Sequence, residues 1–284
     1  MNIRKVFVMG AGAMGSGIAQ VTAQAGYSVT LQDISDEFIQ KALNGIEQSL
    51  GRVVRKGTIS EEEKASIVSR ISTTTDLSKA KNADLVIEAI PEDFELKSDA
   101  FKKLDSMCAV RTILASNTSA LPISALAAAT KRQPNVIGIH FMNPVPVMKG
   151  VELIRGRHTS DETFQTCKAF VDSLGKEPGE AVDYAGFVAS RVLDAMLNEA
   201  VYCVMDGNEP AEVDKLMKTC CNFPMGPLEL CDLAGVDIVL HGLEALHAEF
   251  GDRLRPAPLL KTMVRAGDLG RKTGRGFYDY ADKT

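Results

Sequence analysis

An apolar run, Val6-Phe7-Val8-Met9, breaks into Gly10-Ala11-Gly12-Ala13-Met14-Gly15 and then into a helical pattern. Strand, tight turn and helix start must therefore follow one another with no spacer. Gly10 permits the sharp turn. Gly12 removes the Cβ that would keep a pyrophosphate from the backbone, and Gly15 lets the helix lie close against the strand. The first amides of that helix, from Ala13 onward, would then present the positive dipole end to the phosphates. Taken alone, the same glycine spacing also occurs in turns that bind nothing.

Ser28-Val29-Thr30-Leu31-Gln32-Asp33 reads as a second strand closed by an acid. A carboxylate there accepts hydrogen bonds from a ribose diol and repels a 2′-phosphate. No Arg follows within the next several positions, so the pattern favours NAD(H) over NADP(H). The plainer reading of Asp33, a solvated acid at a strand end, stays open.

With 284 residues the chain accommodates two domains, each with its own core. A net charge of −5 leaves no excess of cations to neutralise a phosphate backbone, so nucleic acid is not expected as a partner. No apolar run approaches the length of a membrane span, and the first strand begins within a few residues of Met1, leaving little room for a leader. The expectation is a cytoplasmic protein with no membrane association. Six cysteines show no C-x-x-C and no metal-ligand spacing with the histidines, which predicts free, mostly buried thiols and no metal site. The adjacent Cys220 and Cys221 would bridge only with strained geometry.

Strand patterns near 3–9, 28–33, 71–74, 84–89, 111–115, 135–140 and 150–155 alternate with helical ones. That alternation predicts an α/β fold, a Rossmann-type and mostly parallel sheet covered by helices. Between Ser35 and Arg70 two helical segments, about 35–56 and 60–70, are joined at Lys56-Gly57-Thr58, the second opening on the capping box Ser60-Glu61-Glu62-Glu63. They predict a projecting helical hairpin whose first arm carries Arg52, Arg55 and Lys56. A helix over 160–174 leads to Gly175–Val182, read as a Gly/Pro-rich break. Beyond Ala185 only helical periodicity remains, as at Val188-Val192-Ala195-Met196-Glu199 and Ile238-Leu240-Leu243-Leu246. The chain is thus expected to divide into residues 1–183, bearing the sheet, and 184–284, all helical.

His140 ends the apolar strand Asn135-Val136-Ile137-Gly138-Ile139-His140, and Glu152 falls early in the next. A carboxylate returning beside a histidine fixes its tautomer and favours its charged form, which suits a catalytic acid and base. A satisfied, semi-buried histidine fits the pattern equally well. His158, His241 and His247 read as surface residues. Ala115-Ser116-Asn117-Thr118-Ser119 closes another strand; Ser119 fits either a site hydroxyl or the N-cap of the helix beginning near Pro122. Glu88, Glu92 and Lys97 flank a strand-to-helix turn, where an ordinary helix ion pair is the simpler reading.

These elements, with His140-Phe141-Met142-Asn143-Pro144-Val145-Pro146-Val147-Met148, Pro224-Met225-Gly226-Pro227-Leu228-Glu229-Leu230 and Gly270-Arg271-Lys272-Thr273-Gly274-Arg275-Gly276-Phe277-Tyr278, resemble the 3-hydroxyacyl-CoA dehydrogenase family over essentially the whole chain, most closely its bacterial 3-hydroxybutyryl-CoA members. The resemblance implies reversible reduction of a 3-ketoacyl-CoA, acetoacetyl-CoA above all, by NADH, in fatty-acid and butanoate metabolism. By the same resemblance His140 carries the proton, Glu152 orients it and Ser119 bonds the substrate oxygen. Gly10, Gly12, Ala13, Met14, Gly15, Asp33, Glu92, Lys97, Asn117, Asn143 and Lys272 belong to the NAD site. Ser49, Arg52 and Lys56 would hold the CoA nucleotide, Asn222 would approach the thioester, and the helical domain would form a homodimer. Where the family reads Gly-Phe-Val-Val-Asn-Arg, this chain has Gly186-Phe187-Val188-Ala189-Ser190-Arg191, which places Ser190 where an Asn normally donates into the active site. Two other readings stand beside this one. One is a non-catalytic NAD- and CoA-binding protein; the other is an oxidoreductase of free hydroxy acids.

Overall fold

Eight short strands form one sheet in this computed structural model, which describes residues 2–281. In chain order the first unit runs β1 (Lys5–Met9), α1 (Ala13–Gln24), β2 (Ser28–Gln32), α2 (Asp36–Arg55), α3 (Glu61–Ser69), β3 (Ile71–Thr74), β4 (Leu85–Glu88), α4 (Phe94–Met107), β5 (Ile113–Ser116), α5 (Ile123–Ala128), β6 (Val136–Phe141), β7 (Gly150–Arg155), α6 (Asp161–Ser173) and β8 (Glu177–Val182). The sheet order is β3-β2-β1-β4-β5-β6-β7-β8. Every neighbouring pair is parallel except β6 and β7. Parallel neighbours need a crossover to bring the chain back to the same end, whereas residues 142–149 join β6 to β7 as a short loop with no helix, so that pair must run antiparallel. The carboxyl ends of β1, β4, β5 and β6 consequently share one edge.

β4, β5 and β6 are buried along their whole length, as strands covered on both faces are. The predicted helical hairpin is α2 and α3. Ile39, Ala42, Ile46 and Leu50 make the buried stripe of α2, and the capping box of α3 closes as expected, Ser60 Oγ accepting from Glu63 N at 3.1 Å and Glu63 returning to Ser60 N at 2.8 Å.

Two expectations are corrected. Residues 177–182, read as part of a loop, form β8, and Pro178 is tolerated there because the strand lies at the sheet edge, where an absent N–H need not break a ladder. Ser119 does not cap α5. The Ile123 and Ser124 amides donate instead to the two oxygens of Asp183, at 2.8 and 2.7 Å.

The second unit begins at Tyr184. It comprises α7 (Ala189–Met205), α8 (Pro210–Cys220), α9 (Pro227–Ala234), α10 (Val236–Phe250) and α11 (Pro258–Ala266). Leu197, Val201, Leu228, Val236, Leu243 and Leu260 centre its core. Two buried aspartates organise the rest. Asp214 accepts from the Leu228 and Glu229 amides at the start of α9 and from Tyr278 Oη, while Asp232 accepts from the Phe277 and Tyr278 amides and Tyr280 Oη. A Cβ on Gly226 would meet Asp214 at 2.2 Å, and one on Gly276 would meet Asp232 at 2.0 Å, so these glycines admit the carboxylates. The cysteines are all free, but only Cys108, Cys167 and Cys231 are buried; Cys220 and Cys221 are exposed. Among the described residues no helix is long and apolar enough to cross a membrane.

Candidate functional site

The glycine turn behaves as its spacing requires. Gly10 adopts φ +102°, and a Cβ there would come within 2.5 Å of the Ala89 carbonyl, so β1 and the turn after β4 approach backbone to backbone. A Cβ on Gly15 would strike the Gly10 carbonyl, and one on Gly17 would meet Val145 at 2.8 Å. Gly12 differs from these. Nothing lies within 4 Å of its missing Cβ, and no side chain caps the first turn of α1. The Ala13 and Met14 region therefore offers a helix N-terminus behind an open backbone surface, the arrangement that receives a pyrophosphate. Asp33 is fastened beside it. Its Oδ2 accepts from the Ala11 amide at 2.6 Å and its Oδ1 from the Ile34 amide at 2.7 Å, which fixes the carboxylate next to the turn. These residues fit a dinucleotide with a free ribose diol.

At the carboxyl end of β6 the buried His140 is the direct register partner of Glu152 on β7. Opposed residues of an antiparallel pair share a face, so the twelve-residue separation in sequence becomes a contact of 2.8 Å between His140 Nδ1 and Glu152 Oε2. Asn117 lies just beyond β5, and its Oδ1 accepts from the Phe141 amide at 2.9 Å, holding the strand next to His140. Ser119 follows on the exposed loop, and its amide donates to Glu92 Oε1 at 2.9 Å. Asn143 is exposed and precedes a cis peptide bond to Pro144. Lys176, missed by sequence reasoning, donates from Nζ to the carbonyls of Val145 and Met148 at 2.6 Å each and so ties down the loop that follows Asn143. Lys97 is placed differently from a surface helix ion pair: its side chain is 1% exposed and bonded to Glu88, itself fully buried.

Ser49 and Arg52 fall on one face of α2, and Lys56 caps its carboxyl end. With Ala13, Ser16, Gly17 and Gln20 of α1 and with Pro144, Pro146 and Val147 they line a cleft of about 410 Å³. The cleft starts at the amino end of α1, and the hydroxyls and two cations on its walls suit a phosphorylated ligand. Burial of Gln20 in its floor left no sequence signal, because an apolar helix pattern surrounds it.

Ser190, Asn222 and Lys272 lie in the second unit. Ser190 occupies the first turn of α7, after Gly186 and Phe187 in left-handed conformation. Asn222 takes φ +57° just past α8, a conformation that Asn tolerates better than most residues. Lys272 Nζ is held 2.5 Å from Asp237 Oδ1 at the start of α10.

Comparison with known proteins accords with this geometry. Residues 5–184 match the family model described as 3-hydroxyacyl-CoA dehydrogenase, NAD binding domain, and residues 186–280 match that of its C-terminal domain. A probable 3-hydroxybutyryl-CoA dehydrogenase of Bacillus subtilis is 50% identical over the full length of both chains. A 3-hydroxybutyryl-CoA dehydrogenase of Clostridioides difficile is 47% identical, over 97% of this chain and 99% of the relative. The crystal structure of an (S)-3-hydroxybutyryl-CoA dehydrogenase from Ralstonia eutropha superposes with a TM-score of 0.95 at 46% identity, covering 99% of this chain and 100% of that one.

Proposed function

Because the chain belongs to the 3-hydroxyacyl-CoA dehydrogenase family, we propose that it interconverts a 3-ketoacyl-CoA and the (S)-3-hydroxyacyl-CoA with NAD(H), acetoacetyl-CoA and 3-hydroxybutyryl-CoA being the working pair. The observation that carries this reading is the His140–Glu152 contact. With the Nδ1–H directed at the carboxylate, the proton exchanged with substrate is the one on Nε2. In reduction the imidazolium gives that proton to the C3 oxygen, and in oxidation the neutral ring takes it back. Glu152 holds the tautomer and stabilises the charged ring. Bound nicotinamide supplies the hydride in one direction and accepts it in the other. The exposed Ser119 hydroxyl donates to the same oxygen, and Ser190 stands where the family places an Asn donor.

Asp33 accepts from the adenosine ribose diol, and Gly12 with the start of α1 receives the pyrophosphate. Ser49, Arg52 and Lys56 bind the CoA nucleotide in the cleft between α1 and α2, which is the feature that favours thioesters over free hydroxy acids. The helical unit leaves Val192, Leu216, Leu233 and Ile238 exposed, which supports its assignment as a homodimerisation surface. Six free thiols accord with the reducing cytoplasm as the working compartment. The test is Lys56→Ala. It is expected to raise KM for acetoacetyl-CoA about tenfold, the loss of one phosphate-directed cation, with KM for NADH unchanged; an unchanged KM for the thioester contradicts the CoA assignment.

A further inference from the structure

The turns that follow β4 and β5 are joined by a chain of buried polar groups that the proton and hydride chemistry does not use. Glu88, at the end of β4, has no exposed side-chain surface. Its Oε1 accepts from Lys97 Nζ at 2.6 Å and from the Ile90 amide at 2.8 Å, and its Oε2 accepts from Ser116 Oγ, at the end of β5, at 2.6 Å. Lys97 Nζ also donates to the Ile90 carbonyl at 3.1 Å and lies 3.2 Å from Glu92 Oε2. Glu92 then turns its other oxygen, Oε1, to the Thr118 hydroxyl, the Ser119 amide at 2.9 Å and the Ala120 amide at 3.3 Å.

A carboxylate and an ammonium this deep lose most of their hydration, and an apolar pair of the same volume would serve stability as well or better. What an apolar pair could not do is hold Glu92. Three acceptors, from Glu88, Ile90 and Glu92, converge on one ammonium, so its position is fixed by the end of β4 and the turn after it and not by a flexible stem. Lys97 in turn gives the half-exposed Glu92 a single orientation, with the oxygen turned to the Thr118–Ala120 loop opposite the one that faces the cation. The Ser119 backbone is set by that oxygen.

We propose that Glu88 and Lys97 are positioning residues for Ser119, acting through Glu92 to aim the Ser119 hydroxyl at the substrate oxygen. The proposal rests on the reading of Ser119 as a substrate-bonding hydroxyl. On this view Lys97 serves the site from beneath Glu92.

The test is a double-mutant cycle on the full-length protein, with kcat for acetoacetyl-CoA reduction and the Kd of NADH, from its fluorescence, measured for Glu88→Gln, Ser119→Ala and the double variant. Glu88→Gln is expected to lower kcat on the order of ten- to a hundredfold, as a misplaced group does, with the NADH Kd held within about twofold. In the Ser119→Ala background the same substitution should change kcat by less than about twofold, the margin within which uncoupled sites add. Losses that multiply in the double variant, or an effect carried by the NADH Kd, overturn the positioning role. Should Glu88→Gln not fold, Ser116→Ala, which removes the hydroxyl that donates to Glu88 Oε2, takes its place and must show the same coupling. Unchanged turnover in Ser119→Ala overturns the reading of Ser119, and the proposal with it; a costly Ser119→Ala with multiplying losses overturns the positioning alone.

Discussion

His140 and Glu152 face each other across the one antiparallel junction of an otherwise parallel sheet, register partners whose side chains meet at 2.8 Å. The junction puts the acid on the same face as the histidine, so the carboxylate that meets it comes from a strand and not from a loop.

Glu152→Gln keeps the shape of that partner and removes its charge. The imidazolium needed for reduction is then less stabilised, and kcat is expected to fall on the order of a hundredfold with little change in KM. Single-turnover rates of acetoacetyl-CoA reduction check this. A variant with native kcat would show that Glu152 does not act on His140.

Asp194 supplies a pH dependence of stability. It lies on α7 against α10, where a Cβ on Gly242 would come within 2.5 Å of its carboxylate. Burial pushes its pKa from 3.8 up to about 7. The folded protein therefore binds a proton that the unfolded chain has released, and stability is lost as pH rises through that window. Asp194→Asn should match the wild type near pH 4 and exceed it at pH 8 by on the order of 2 kcal/mol, allowing for screening by solvent. Urea unfolding at the two pH values checks this, and an equal difference at both would remove Asp194 as the cause.

Ser190 stands at the start of α7, where the proposed mechanism has use for an Asn donor. A lost donor at a developing oxyanion costs on the order of 3 kcal/mol, or about a hundredfold in rate. Ser190→Asn is expected to raise kcat toward that limit with the thermal midpoint unchanged. A flat or lower kcat would mean that serine meets the need by itself.

Much of this was legible because it is local. The turn at Gly10, the acid at Asp33 and the capping box at Ser60 are set by residues a few positions apart, and sequence spacing reports such contacts directly. His140 and Glu152 could be paired on paper only because a short loop links their strands. Other features depend on partners far along the chain. Asp183 caps a helix that begins sixty residues earlier, Asp232 anchors a segment 45 residues later, and Glu88 meets Ser116 across two strands. Periodicity carries no trace of such contacts. Sequence reasoning accordingly offered Ser119 as one candidate cap for α5 and read β8 as a loop. It also offered an ordinary helix ion pair for Lys97, whose cation is in fact buried.

The most direct measurement is absorbance at 340 nm with acetoacetyl-CoA and NADH, run for the wild type and for His140→Ala. Rapid loss of NADH that falls by three or so orders of magnitude in the variant, about the contribution of one positioned acid, is the expected result. Equal rates in the two proteins, both still binding NADH, would contradict His140 as the proton carrier, and no loss in either would contradict the dehydrogenase activity itself.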